Sequence, residues 1–283
     1  MGARIFVGQV LEAGTVFDLP EAQARHVQVL RLQPGDALVL FNGTGGEWRA
    51  SVQQMGRSSV TVRVDAHDAV EREPRRPVTI AFGMPANERM DSLVEKATEL
   101  GAAAIQPLIC ERSVLRLTGE RAVRRVQHWQ QVAVAASEQS GRTRVPTVGA
   151  IQTLPLWLAR LGTPVSDLRR VVLGVDADAR WVADDVDQRG LLVLSGPEGG
   201  LTAGEIAAAR TVGFEAVSLG ARVLRADTAP LAVLAWCAGR LDHSFRAIAH
   251  AALTRSLVRR PAVDDRRDAG AVLSGRREFH FLR

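Results

Sequence analysis

"LLVLSGPEGGLTAGEIAAAR", residues 191–210, decides how the rest of the chain is read. Leu191, Leu192, Val193 and Leu194 form a short apolar run without alternation, the pattern of a strand buried on both faces. The run stops at a turn made of Gly196, Pro197, Glu198, Gly199 and Gly200. Thr202 and Glu205 then have capping-box spacing: the hydroxyl takes one orphan N–H of a new helix and the carboxylate reaches back to another. Strand, tight turn and helix in that order predict an α/β unit, and such units bind ligands beyond the carboxyl ends of their strands. Glycines let a ligand approach the backbone, so valine at Gly199 is expected to push a ligand away. The turn is neither GxGxxG nor a Walker A loop, which leaves a plain glycine turn as the alternative and indicates no particular nucleotide.

Upstream and downstream of this unit the pattern alternates. Strands are predicted at 78–84, 103–109, 170–175 and 214–219, and helices near 88–100, 119–140, 153–161 and 227–241. That alternation argues a parallel sheet with helices on both faces. Residues 1–72 differ, with the β-type runs "ALVLF" (37–41), "WRASV" (48–52) and "VTVRV" (60–64) separated by glycine turns, a small β-barrel pattern. "EREPRRP" (71–77) reads as the linker, residues 78–242 as the α/β domain and 243–283 as a basic, polar extension without a core-forming period.

Composition bounds the function classes. With 46% hydrophobic and 24% charged residues in 283, the chain is of ordinary globular composition, long enough for two cores. No run of 18 apolar residues exists and "MGARIFVGQV" is not a secretory leader, so no membrane partner is expected and the expected compartment is the cytoplasm. Cys110 and Cys237 stand alone in apolar segments and read as core residues, and no His/Cys/carboxylate cluster at ligand spacing suggests a metal. The net charge of +5 sits mostly in the tail: residues 1–77 carry nine charges of each sign, 78–241 eighteen basic against seventeen acidic, and 242–283 nine against five. Lys96 is the single lysine among 36 basic residues, a uniform bias that reflects genome composition. Any nucleic-acid footprint must therefore be a local patch. The strongest is Arg112, Arg116, Arg121, Arg124 and Arg125 against Glu111 and Glu120, for which a solvated helix face is the alternative.

Four segments in order carry a resemblance: "RMDSLVEKATELGAAAIQPLICERSV" (89–114), "HWQQVAVAASEQSGRTRVP" (128–146), the glycine turn, and "VSLGARVLRADTAPLAVLA" (217–235), with "RIFV" and "HVQVLRLQPGDALVLFNGTGGEW" at the amino end. Together they resemble the RsmE-type ribosomal RNA uracil-N3 methyltransferases of the SPOUT superfamily, over nearly the whole chain to Asp242. The resemblance implies a PUA-like RNA-binding domain followed by an α/β trefoil-knot methyltransferase domain. It also implies a homodimer, S-adenosylmethionine as cofactor, and 16S ribosomal RNA within the small subunit as substrate. On that basis the cofactor is expected at Leu173, Gly174, Gly196, Pro197, Glu198, Gly199, Gly200, Leu219, Gly220 and Leu224. The family commonly carries a lysine just before "RMD", where this chain has Ala86 and Asn87 and where Arg89 is the nearest cation.

If the acceptor is uridine N3, its proton must leave before the nitrogen has a lone pair for attack, and the resulting anion calls for fixed cations rather than a covalent intermediate. Arg142, closing "SEQSGR", and Arg225, in "VLRAD", are the expected anion-facing groups, with Glu138 orienting an arginine or accepting the proton. Their structural alternatives are a helix C-terminal cation, an Arg225–Asp227 surface contact and a solvated carboxylate. Arg4, His26, Arg31 and Arg112 are the expected RNA contacts. Two rival functions remain, a non-catalytic RNA-binding ribosome-assembly protein and a Rossmann-like enzyme acting on a small molecule. The second would place its glycine-rich turn after the first strand, not late in the chain.

Overall fold

The computed structural model describes residues 2–174 and 189–241. The extension 243–283 and the end of the strand predicted over 170–175 lie outside these.

The amino-terminal part contains β1 (Ala3–Phe6), β2 (Val16–Asp18), α1 (Glu21–Val29), β3 (Ala37–Phe41), β4 (Glu47–Met55) and β5 (Val60–Asp68). The strands form one sheet in the order β1-β3-β4-β5-β2, antiparallel except for the β1–β3 pair. Its core is Ile5, Val7, Leu38, Leu40, Ala50, Val52, Val60, Val62 and Val64, with Ala24 and Val27 of α1. The sequence gives little sign of α1, because Pro20 at its N-cap offers no side-chain cap and only Ala24 and Val27 of its nine residues are buried.

The second part runs β6 (Val78–Gly83), α2 (Asn87–Glu99), β7 (Ala102–Ile109), α3 (Gly119–Ser140), the two-residue strands β8 (Thr147–Val148) and β9 (Gln152–Thr153), α4 (Leu154–Arg160), β10 (Leu168–Leu173), β11 (Gly190–Ser195), α5 (Ala203–Thr211), β12 (Glu215–Val217) and α6 (Thr228–Leu241). The sheet order is β12-β10-β11-β6-β7-β8, with β9 also on β7, and every pair is parallel. Burial on both faces of β11 is literal. Leu191 and Val193 enter one core, with Met90 and Leu93 of α2, Trp129 of α3 and Val233 of α6, while Leu192 and Leu194 enter another, with Trp157 of α4 and Ala209 of α5. The capping box also forms: Glu205 N–H donates to Thr202 Oγ1 at 3.2 Å and Thr202 N–H to Glu205 Oε2 at 2.9 Å.

The two parts form one compact unit over residues 1–242, and the stretch read as a linker is part of the reason. Glu71 accepts from the Thr143 hydroxyl at 2.9 Å, Arg72 pairs with Glu47 at 2.8 Å and donates to Gly141 O at 3.1 Å, and Glu73 pairs with Arg142. Segment 71–73 is thus a polar seam between the β-domain and the end of α3, not a free tether.

Candidate cofactor cavity at the strand ends

β10, β11 and β12 all finish on the same side of the sheet because they are parallel, and residues at and after those ends line a cavity of about 780 Å³. Leu173 and Gly174 come from the end of β10, Ser195 and Gly196–Leu201 from the end of β11, and Ser218–Gly220 and Arg222–Leu224 from the loop after β12. All ten residues expected at the cofactor line it.

The glycine turn is held from three directions. Gly196 has no room for a side chain, since a Cβ there would lie 2.8 Å from Leu201 N and 2.9 Å from the Gly200 carbonyl carbon. Gly200 has φ +70° and Gly220 φ +114°, conformations that disfavour L side chains. Glu198 Oε1 accepts from Ala86 N–H at 2.9 Å, which joins the turn to the entry of α2. Across the turn, Arg112 Nη1 donates to Gly199 O at 3.0 Å, and Glu205 Oε1 accepts from Glu111 N–H at 2.8 Å. Gly83 fits against Pro197, whose ring a Cβ would meet at 2.5 Å. A glycine closing the strand "VTIAFG" is the sequence signal for that close approach.

The expected reason for Gly199 needs correcting. A Cβ there would point at Arg112 Cβ, 3.0 Å away. Valine at this position therefore strains the Arg112 brace rather than intruding directly on a ligand.

The catalytic expectation divides. Arg225 lines the cavity, is exposed, and makes no ion pair with Asp227. Arg142 does not line it. It is 5% exposed, with Nη1 donating to Thr98 O at 3.0 Å and Ala102 O at 2.9 Å, and with Nε and Nη2 on Glu73. With its donors committed to protein acceptors, Arg142 is a structural clamp. Glu138 lies in the same seam, accepting from Phe6 N–H at 2.8 Å, with His26 Nδ1 at 3.6 Å, and burial raises its carboxyl above the usual range.

The residues expected to contact RNA divide as well. Arg4 pairs with Glu47, donates to Arg142 O at 2.9 Å and stacks 5.0 Å above the Phe41 ring, so it is an internal brace. His26 is half-exposed beside Glu138. Arg31 is exposed at the end of α1 with φ +58°, and Arg112 lines the cavity.

Sequence reasoning missed Arg210 and Arg222, which with Arg89, Arg112 and Arg225 give five arginines against one carboxylate, Glu198, among the described lining residues. Arg222 sits inside a recognised loop and was open to inference. Arg210 is at the end of α5, and only the fold brings it there. Both cysteines are buried, and burial first, then the Glu205 charge, pushes the Cys110 thiol up to about 12, as suits a core residue.

A β-domain set before a parallel sheet with a glycine-lined, arginine-rimmed cavity at its strand ends is the build of an RNA methyltransferase. Residues 71–238 match the RNA methyltransferase domain and residues 19–65 the RNA methyltransferase PUA domain, and the chain belongs to that family. It is similar to ribosomal RNA small subunit methyltransferase E of Synechocystis, 33% identical over 235 residues that cover 80% of this chain and 73% of the relative. It is also similar to the protein of the same name from Mycobacterium tuberculosis, 36% identical over 208 residues that cover 73% of this chain and 79% of the relative. Among solved structures it resembles ribosomal RNA small subunit methyltransferase E from Neisseria gonorrhoeae bound to S-adenosyl methionine. That match has TM-score 0.77 and 31% identity and covers 83% of this chain and 96% of the other.

Proposed function

We propose that the protein transfers a methyl group from S-adenosylmethionine to N3 of a uridine in 16S ribosomal RNA of the small subunit, acting in the cytoplasm as a homodimer whose α/β domain carries the SPOUT trefoil knot. The observation that carries this reading is the convergence of ten residues, chosen by family resemblance and scattered from Leu173 to Leu224, on one cavity.

The cavity suits the cofactor. Its glycine turns present backbone without Cβ atoms, and Leu173, Leu201, Ile206, Leu219 and Leu224 give it apolar walls. When bound there, S-adenosylmethionine supplies an electrophilic methyl group. The chain's own residues have two tasks. The turn, braced by Arg112 and Glu198, fixes the cofactor side, and Arg225 faces the uracil anion left when the N3 proton is lost, where a fixed guanidinium stabilises developing charge. Dimerisation is supported by α6, which buries Val233, Leu234 and Cys237 but leaves Ala235 exposed and Leu231 and Trp236 only partly covered.

The test is mass spectrometry of ribosomal RNA from cells lacking the protein, with the purified protein then added to their small subunits. A uridine mass raised by one methyl group only after addition supports the reading. RNA that is unchanged by loss and by addition overturns it.

A further inference from the structure

Arg4 and His26 lie in the seam, so an RNA strand must find other cations, and α3 supplies them. The helix has 22 residues, about 33 Å at 1.5 Å each, and reaches from the loop beside the cavity to Phe6 of the β-domain. Its arginines are Arg121, Arg124 and Arg125, all in the amino-terminal half. Together with His128 they occupy positions i, i+3, i+4 and i+7, an arc of about 100°. Of the other exposed positions on the helix, Val123, Gln127, Gln131, Ala135 and Gln139 carry no charge and Glu120 is acidic, so no further cation lies among them. A genome-wide preference for arginine over lysine does not sort arginines onto one arc of one helix.

The arc leads to the cavity at both ends. His128 Nε2 lies 2.8 Å from Asp91 Oδ2 on α2, and Asp91 is two residues from Arg89, which lines the cavity. Before Arg121, the loop entering α3 carries Arg116 and Arg112, and Arg112 lines the cavity too. The facing acids are few and occupied: Glu120 pairs with Arg124 at 3.0 Å, and Asp91 holds His128 and the Trp129 indole N–H. Arg121 and Arg125 have no carboxylate partner among the described residues. Cations in the first turns of a helix also sit at the positive end of its macrodipole, a placement that fold stability does not favour.

We propose that the Arg121–Arg124–Arg125–His128 arc is a second RNA contact, binding the phosphate backbone of the strand whose target base enters the cavity. It rests on the reading of the protein as an RNA methyltransferase. Guanidinium groups suit this partner because their planar forks donate to phosphate oxygens, and such contacts strengthen binding without reading sequence.

The test uses the full chain and small ribosomal subunits lacking the modification. Binding is measured across salt concentration for the parent, Arg121→Gln/Arg125→Gln and Arg121→Lys/Arg125→Lys. Each lost phosphate contact lowers the slope of log affinity against log salt by about 0.7–0.9, so the glutamine pair is expected to lower it by about 1.4–1.8. The lysine pair is expected to keep the parental slope, and calorimetry with S-adenosylmethionine to give the same affinity for all three. An unchanged slope in the glutamine pair overturns the proposal. So does a glutamine pair that sediments in a smaller state than the parent, which would assign the arc to a second copy of the chain. A parent that neither binds nor methylates the subunits overturns the methyltransferase reading as well, which separates the two failures.

Discussion

Arg142 and Arg225 are the same side chain beside the end of a helix, and the seam and the cavity put them to opposite uses. Arg142 follows Gly141, the left-handed C-cap of α3, and is surrounded by acceptors: Glu73, Thr98 O and Ala102 O. Arg225 stands before α6, gives its carbonyl to Thr228 and Ala229 N–H, and is an exposed lining residue of the cavity. Availability for chemistry is therefore set by which acceptors already surround a cation. Motif position does not reveal it.

The largest effect expected from breaking this contrast is on the seam. Arg142→Ala leaves Glu73, with a 13% exposed side chain, without its guanidinium partner and takes a donor from Ala102 O and from Thr98 O, the latter keeping Gly101 N–H. Breaking a buried pair costs about 3–5 kcal/mol. Differential scanning calorimetry should show a melting temperature lower by on the order of 10 °C for a chain of this size. If Arg142 instead faced substrate, melting would hold while methyl transfer fell. The opposite profile is expected of Arg225→Ala: unchanged melting, unchanged S-adenosylmethionine affinity, and single-turnover methyl transfer slower by about 10²–10³-fold, the effect of removing one preorganised donor. Parental transfer by this variant would remove Arg225 from the chemistry.

The sequence showed the frame well and the seam poorly, for a physical reason. Elements with an uninterrupted local signal were legible. The α3 prediction of 119–140 matches the observed bounds, and the capping box of α5 formed as read. Of the cavity, the glycine turn after β11 was legible as a local feature, whereas Leu173, Gly174, Leu219, Gly220 and Leu224 were expected through the family resemblance alone. What was not legible depends on contacts distant in sequence. Arg142 meets Glu73 across 69 residues, and Arg112 meets Gly199 across 87. No periodicity encodes either. The "EREPRRP" stretch looked like a linker because its partners, Thr143, Glu47 and Arg142, lie elsewhere in the chain.

A smaller effect sharpens the role of Arg112. Gly199→Val places its Cβ only 3.0 Å from Arg112 Cβ, so the brace and the turn must shift by some tenths of an ångström. Cofactor affinity measured by calorimetry is expected to fall about tenfold, equivalent to roughly 1.4 kcal/mol and within the range of overpacking costs. Adding Arg112→Gly removes the obstructing Cβ and should restore part of the loss. If Gly199 faced the cofactor directly, the second substitution would restore nothing.

The smallest effect is a pH dependence, and it returns to the seam. Glu47 accepts from Arg72 and Arg4, and chiefly the Arg72 contact holds its carboxyl at about 2, below the usual 4.5, against the opposing effect of burial. A carboxylate whose folded pKa lies below its unfolded value contributes stability in full above 4.5 and loses it as pH falls toward 2, because there the unfolded chain binds the proton more readily. Glu138, a neighbour in the seam, has the opposite sign: burial raises its pKa, so the folded chain takes its proton first and gains stability as pH falls through that raised value. Urea unfolding followed across pH should therefore show stability flat or slightly rising as pH descends through the raised value of Glu138, and then falling between 4.5 and 2. Glu47→Gln should flatten the fall, and Glu138→Gln should remove the rise. Arg225→Ala, lying outside the seam, should leave the curve unmoved, and a changed acid limb in that variant would mean that seam and cavity are not electrostatically separate.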